Sequence, residues 1–90
     1  MRYRFEFSAE SQKQLSRFPR DVQERLARAI DDLESKDDSQ WSNVKALQGT
    51  AWKGLLRKKV GAYRIIFKEF ASRGVAEIAA ILLKSKDTYK

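Results

Sequence analysis

The chain has 90 residues, of which 42% are hydrophobic and 34% charged, and it contains neither cysteine nor histidine. This length predicts a single domain spanning residues 1–90. The composition excludes disulfides, thiolate nucleophiles and the imidazole that most often serves as metal ligand or neutral-pH general base. We therefore expect no metal and no cofactor. No apolar run has the length of a signal sequence or a membrane span, which favours a cytoplasmic protein without membrane contact.

The net charge of +7 comes entirely from the second half of the chain. Residues 1–45 contain nine Lys/Arg and nine Asp/Glu, whereas residues 46–90 contain ten Lys/Arg and three Asp/Glu, a balance of 10 − 3 = +7. Such an excess predicts a positive surface on one side of the fold. Nucleic acid is the first candidate partner for that surface, and an acidic protein is the other.

The first half of the chain predicts a strand followed by two helices. Residues 2–7 alternate between polar and aromatic side chains, a period of two that indicates a half-buried strand. Ser8 is a good N-cap for a short helix through about residue 17. Pro19 ends that helix and begins a second one, which runs to about residue 35. One face of the second helix is apolar, at Val22, Leu26, Ala29, Ile30 and Leu33.

The second half predicts strands. Residues 41–51 show no clear periodicity, and the tryptophans that flank them, Trp41 and Trp52, are expected to pack rather than to stack on bases. Strands at 54–60 and 63–70 are joined at Gly61-Ala62, where glycine in the first turn position suits a type II′ hairpin. Residues 75–83 are apolar on both faces and predict an interior strand.

These elements give an α+β fold of order β-α-α-β-β-β. The predicted sheet has four strands, is mainly antiparallel and carries the helical hairpin on one face. The basic residues of the second half are expected on the other face.

Several kinds of chemistry have no support in the sequence. There is no glycine-rich phosphate loop, no G-x-S-x-G elbow and no metal-ligand spacing. Lysine, arginine and tyrosine remain, and they suffice for RNA cleavage because RNA supplies its own nucleophile, the 2′-OH. An arginine can clamp the phosphate, while lysine or tyrosine can transfer protons.

The hairpin L-L-R-K-K-V-G-A-Y-R-I-I-F at residues 55–67 resembles the W-R-x-R-V-G-x-Y-R-h-h-Y pattern of the RelE/ParE toxin superfamily, where h is hydrophobic. The resemblance extends to K-A-L-Q-G at 45–49, to the apolar last strand and to K-D-T-Y at 86–89. It implies a toxin of a type II toxin–antitoxin pair with a small acidic antitoxin as partner. RelE-like members cleave mRNA on the ribosome, whereas ParE-like members inhibit gyrase by protein contact. We interpret the chain as a RelE-like mRNA endonuclease that inhibits translation, with gyrase inhibition as the alternative and a nuclease-dead RNA-binding or interaction module as a third possibility.

The resemblance also implies a site. Arg64 matches the phosphate-binding arginine, Arg57 and Lys59 match basic positions on the preceding strand, and Tyr89 matches a C-terminal catalytic tyrosine. Further phosphate-binding candidates are Lys53, Lys58, Lys84 and Lys86. The chain departs from the pattern in two places, since Lys84-Ser85-Lys86 stands where RelE-like nucleases usually have an arginine and Leu56 stands where many relatives have tryptophan.

Two alternatives stay open at this point, and one expectation concerns Lys58. Arg64 could pair with Glu77 rather than with a phosphate, and Tyr89 could belong to a tail without a catalytic role. Lys58 is the strand neighbour of Arg57 and Lys59, so its side chain is expected on the opposite sheet face, where its loss would change cleavage little. Neither Arg64 nor Tyr89 is expected in the core.

Overall fold

The structure is a computed structural model, and it describes residues 1–49 and 54–83. The elements are β1 (Arg4–Phe7), α1 (Ala9–Ser16), α2 (Arg20–Ser35), β2 (Val44–Ala46), β3 (Leu56–Val60), β4 (Tyr63–Phe70) and β5 (Val75–Leu83), with short 3-10 turns at Asp38–Gln40 and Ala71–Arg73. None of the helices in these ranges is long and apolar enough to span a membrane.

The strands form one five-stranded sheet in the order β1-β5-β4-β3-β2. Strand β1 runs parallel to β5, and every other neighbouring pair is antiparallel. The predicted α+β class and element order are confirmed, but the predicted strand count of four is corrected to five. The additional strand is β2, whose three residues are too few to show the alternation that indicates a strand.

Both helices pack on the same sheet face. Ser8 caps α1, since its hydroxyl oxygen accepts a hydrogen bond from the Ser11 backbone N–H at 3.1 Å. Helix α2 buries the predicted apolar stripe at Val22, Leu26, Ile30 and Leu33. A single apolar cluster joins these side chains to Ile65, Phe67, Ile78 and Ile81 of the sheet, with Leu15 of α1 at its border.

Aromatic side chains fill one end of this core. The ring of Phe67 meets Phe5 and Trp41 edge-on, at centroid distances of 5.1 and 5.7 Å. Trp41 also lies 5.8 Å from Tyr3, and its indole N–H donates to the Leu33 carbonyl at 2.9 Å. The prediction that Trp41 packs is confirmed, whereas Trp52 lies outside the described residues.

A β-bulge in β5 determines which of its apolar side chains face the helices. The register passes from Ile66 opposite Ala80 to Phe67 opposite Ile78, so Ala79 is left without a partner. One extra residue reverses the alternation of side chains along a strand. Ile78 and Ile81 therefore both point to the helices, although they are three residues apart.

Gly61 begins the tight turn between β3 and β4. Its φ of 59° is positive, as the predicted hairpin requires, and Ala62 has no positive φ. A Cβ atom placed on Gly61 would lie 2.5 Å from Nη2 of Arg25, on helix α2. Glycine is therefore required by its backbone conformation first and by space second.

We expect Gly61→Ala to lower the free energy of unfolding by about 1–2 kcal/mol, the cost of a left-handed conformation for a residue with a Cβ atom. Arg25 ends in a flexible side chain that can move away, so Arg25→Ala should restore little of the loss. Urea unfolding of the two single variants and the double variant checks this. Full rescue by Arg25→Ala would show that crowding, rather than φ, sets the requirement.

Candidate functional site

The sheet face opposite the helices, here called the open face, carries the basic residues of the hairpin. On β3, Leu56 and Val60 pack against the core, so the alternating positions Arg57 and Lys59 face the other way. On β4, Ile65 belongs to the core and its neighbour Arg64 lies on the open face. The predicted location of Arg57, Lys59 and Arg64 on one face is thus confirmed.

Strand register brings these cations into directly opposed pairs. Lys59 lies opposite Arg64 across β3 and β4, and Lys45 of β2 lies opposite Arg57. Opposed residues of antiparallel strands project to the same face. We call Lys45, Arg57, Lys59 and Arg64 the basic quartet. Sequence reasoning missed Lys45 because the strand that places it was not predicted.

The quartet has no carboxylate partner among residues 1–49 and 54–83. The ion pairs in these ranges join Met1 to Asp37 and Asp38, Arg4 to Glu6, Arg28 to Glu24, and Lys36 to Asp32. Like charges directly opposite each other in a sheet are destabilising. Two such pairs side by side are a poor arrangement for stability and a good one for binding a polyanion.

Arg64 is the unusual member of the quartet because it is only 4% exposed. Its Nη1 donates weakly to the carbonyls of Tyr63 and Gly61, at 3.3 and 3.4 Å. Its Nε is buried without a hydrogen-bond partner among the described residues. An unsatisfied buried donor costs about 1–3 kcal/mol, and more if it is charged. Arg64 lies outside the hydrophobic core, as expected, but the burial of its side chain was not predicted.

The alternative pairing of Arg64 with Glu77 is not formed. In the strand register, Glu77 lies opposite Lys68, whereas Arg64 lies opposite Leu82. Glu77 and Leu82 are five residues apart on β5. The two side chains therefore lie in different parts of the sheet. Within the described residues, the Arg64 guanidinium therefore takes part in no ion pair.

Lys58 lies apart from the quartet, as its position between Arg57 and Lys59 predicts. Its side chain is 8% exposed on the helix-facing side, opposite Ile65 and Val44. Its ammonium group donates to the Ser42 carbonyl at 2.8 Å. This placement argues against Lys58 as a phosphate ligand, because the group is buried, already bonded and on the wrong face.

The other candidate residues, Lys53, Lys84, Lys86 and Tyr89, lie outside the described residues. Within the described ranges, no group of three Asp or Glu residues is arranged to hold a metal ion. The chemistry that can be described is therefore that of the quartet, whose ammonium and guanidinium groups bind anions.

The groups with a shifted pKa in the described parts of the chain are the Met1 α-ammonium, Tyr3, Asp37 and Glu69, and none of them belongs to the quartet. Burial raises the pKa of Glu69, although its interaction with Tyr3 acts in the opposite direction. Burial also raises the pKa of the Tyr3 phenol, and the Glu69 charge adds to that effect. Since Tyr3 belongs to the apolar core, this pair is part of the packing and not of the open face.

Comparison of the sequence with protein-family models and with curated proteins finds no match. Solved structures, by contrast, resemble it over nearly its whole length. The RelBE2 toxin–antitoxin complex from Mycobacterium tuberculosis contains a chain with a TM-score of 0.79 and 15% identity, covering 93% of this chain and 100% of that one. A chain of the archaeal RelE–RelB complex from Pyrococcus horikoshii has a TM-score of 0.74 and 25% identity. The similarity covers 96% of this chain and 99% of that one.

A third similar structure is the YoeB/ParE toxin from Agrobacterium tumefaciens, with a TM-score of 0.72 and 12% identity, covering 94% of this chain and 100% of that one. Identities this low, with coverage this complete, establish a shared architecture. The expectation drawn from the hairpin motif is confirmed at that level, and the chain has the fold of the RelE toxins.

Proposed function

We propose that this protein is the toxin of a type II toxin–antitoxin pair and that it cleaves mRNA in the ribosomal A site. The observation that carries the proposal is the buried Arg64 guanidinium, whose Nε has no partner among the described residues, within a quartet of cations that no described carboxylate neutralises. A phosphate would satisfy that donor and relieve the repulsion between the opposed cations.

The quartet suits the chemistry of RNA cleavage because its side chains start from paired strands. Positions fixed by a sheet hold charge in place before the reaction, and such preorganisation is what stabilises a phosphoryl transition state. Arg64 and Lys59 would bind the oxygens of the scissile phosphate, and Arg57 would add charge beside them. The adjacent 2′-OH of the RNA would then attack in line.

Proton transfer at the two ends of this reaction needs further groups. We propose Tyr89 for one of these roles, with Lys84 and Lys86 as phosphate-binding cations beside it, since the motif resemblance assigns a tyrosine and a cation to that segment. Lys53 is proposed as a further phosphate ligand. Lysine would supply charge there without the bidentate fork of an arginine.

A small acidic antitoxin is the proposed protein partner. Two of the similar structures are complexes of a RelE-type toxin with its antitoxin, which supports the assignment. The net charge of +7 and the uncompensated quartet on the open face favour an acidic partner. Such a partner, lying over that face, would neutralise the toxin by covering its phosphate-binding residues.

Gyrase inhibition by protein contact is the second candidate function, and the similarity to the Agrobacterium YoeB/ParE toxin favours it. A protein that acts by contact alone has no need for a buried arginine with an unpartnered donor. The environment of Arg64 therefore favours mRNA cleavage over gyrase inhibition.

Two parallel assays of the purified protein test the proposal. We expect translated mRNA to be cut on ribosomes, leaving a 2′,3′-cyclic phosphate or a 3′-phosphate, because the attacking oxygen belongs to the RNA. In the second assay, gyrase should supercoil DNA normally. Intact translated mRNA together with blocked gyrase would reject the nuclease assignment and establish the second candidate.

A further inference from the structure

We infer that Lys45 and Arg57 form a second phosphate subsite on the open face, next to the subsite of Lys59 and Arg64, so that two consecutive phosphates of one RNA strand are held. This inference rests on the proposed function and extends it to a residue, Lys45, that the motif resemblance does not assign. It concerns how the RNA is positioned and adds no step to the cleavage reaction.

The spacing of the two pairs supports it. Each pair consists of directly opposed residues, which bring their Cα atoms to within about 4.5–5.5 Å across the strands. Arg57 and Lys59 are two residues apart on β3, a step of roughly 6.7 Å. That step is close to the length of one nucleotide in an extended single strand. A backbone lying along β3 would therefore present one phosphate to each pair.

Strand β2 is held firmly enough to place Lys45. The Lys59 backbone N–H donates to the Asn43 carbonyl at 3.1 Å, and the buried Lys58 ammonium donates to the Ser42 carbonyl at 2.8 Å. Asn43 adopts a φ of 58°, a left-handed conformation that asparagine tolerates better than most residues. The segment just before Lys45 is thus bonded to β3 twice, once by a backbone N–H and once by a lysine side chain on the helix-facing side.

An exposed lysine on an edge strand often serves only to discourage strand pairing with another molecule. That role does not require a second cation directly opposite, and the repulsion it creates with Arg57 works against stability. A phosphate between the two removes the repulsion. The opposed placement of Lys45 and Arg57 therefore favours anion binding over protection of the edge.

Binding of single-stranded RNA by the isolated protein gives the first test. Lys45→Ala should weaken binding about fivefold at 0.1 M salt and reduce the slope of log affinity against log salt by about 0.7, the effect of one lost phosphate contact on a single strand. Lys45→Arg should behave like wild type. Lys13→Ala is the matched control, because it removes the same charge from an exposed position on α1. The melting temperature of Lys45→Ala should not fall, since one repulsive pair is lost.

Cleavage on ribosomes gives the decisive test, with mRNAs in which a neutral methylphosphonate replaces the phosphate on one side or the other of the scissile bond. For wild type, one of the two replacements should slow single-turnover cleavage by about fivefold, matching the loss of one phosphate contact. Lys45→Ala should be equally slow with unmodified mRNA and should not be slowed further by that replacement, because both changes remove one contact.

Additive effects of Lys45→Ala and of each methylphosphonate would overturn the inference. The inference would also be overturned if Lys45→Ala bound and cleaved RNA as well as the wild-type protein does. A third contrary result would be a loss of activity that follows a lowered melting temperature and is not restored by Lys45→Arg. In these cases wild-type cleavage would leave the proposed function intact. If wild type cuts no mRNA, the proposed function fails and the second subsite falls with it.

Discussion

Replacing Arg64 should separate activity from stability more clearly than any other change in this protein. We expect Arg64→Met to slow mRNA cleavage on ribosomes by about 10²–10³, the usual loss for one preorganised electrostatic donor. The same variant should be at least as stable as wild type, because the unpartnered buried Nε disappears while the aliphatic volume stays. Removing such a donor should raise the free energy of unfolding by up to about 1–3 kcal/mol.

Cleavage rates and urea unfolding of the same purified variants provide the measurement. Arg64→Lys is informative because it keeps the charge and loses the bidentate fork, so it should fall between wild type and Arg64→Met. Arg28→Ala is the control for loss of an arginine. Arg28 is exposed on α2, and its ion pair with Glu24 is long, at 3.9 Å. Normal cleavage by Arg64→Met would remove Arg64 from the site, and a marked loss of stability would mean that the residue is structural.

The parts of the fold that the sequence predicts are those with strong local signals. The apolar stripe of α2, the Ser8 cap and the positive φ at Gly61 each follow from a few neighbouring residues, and the structure contains all three. Placing Arg57 and Lys59 on one face needs only the alternation of a strand. The quartet could therefore be predicted in part before any long-range contact was known.

The remaining features depend on contacts between distant segments. Strand β2 is recognisable only from its pairing with β3, so Lys45 could not be assigned to the site. The parallel pairing of β1 with β5 and the bulge at Ala79 likewise arise from register between strands that lie far apart in the chain. The burial of Arg64 was missed for a related reason, because a charged residue on a predicted surface strand is normally solvated.

The sheet that carries the quartet is itself held by the aromatic end of the core. Phe67 lies on β4, three residues after Arg64, and its side chain enters the opposite face of the sheet, where it is fully buried. Its contact with Trp41 links β4 to the segment that leads into β2. Loss of this side chain should therefore act on the site only through the stability of the fold.

Phe67→Ala should lower the free energy of unfolding by about 3–5 kcal/mol, the combined cost of lost burial and a cavity. The total free energy of unfolding of a 90-residue domain is about 4–14 kcal/mol, so Phe67→Ala would remove a large share of the stability. Phe70→Ala on the same strand should cost less, because Phe70 is half-buried on the open face.

Urea unfolding measures these losses, and the temperature dependence of cleavage identifies their cause. At low temperature, the folded fraction of Phe67→Ala should cleave mRNA almost like wild type, and its activity should disappear on warming together with the fold. Arg64→Met should stay slow at every temperature at which it is folded. If Phe67→Ala is folded at low temperature and still inactive, the aromatic core contributes to the geometry of the open face and not only to its stability.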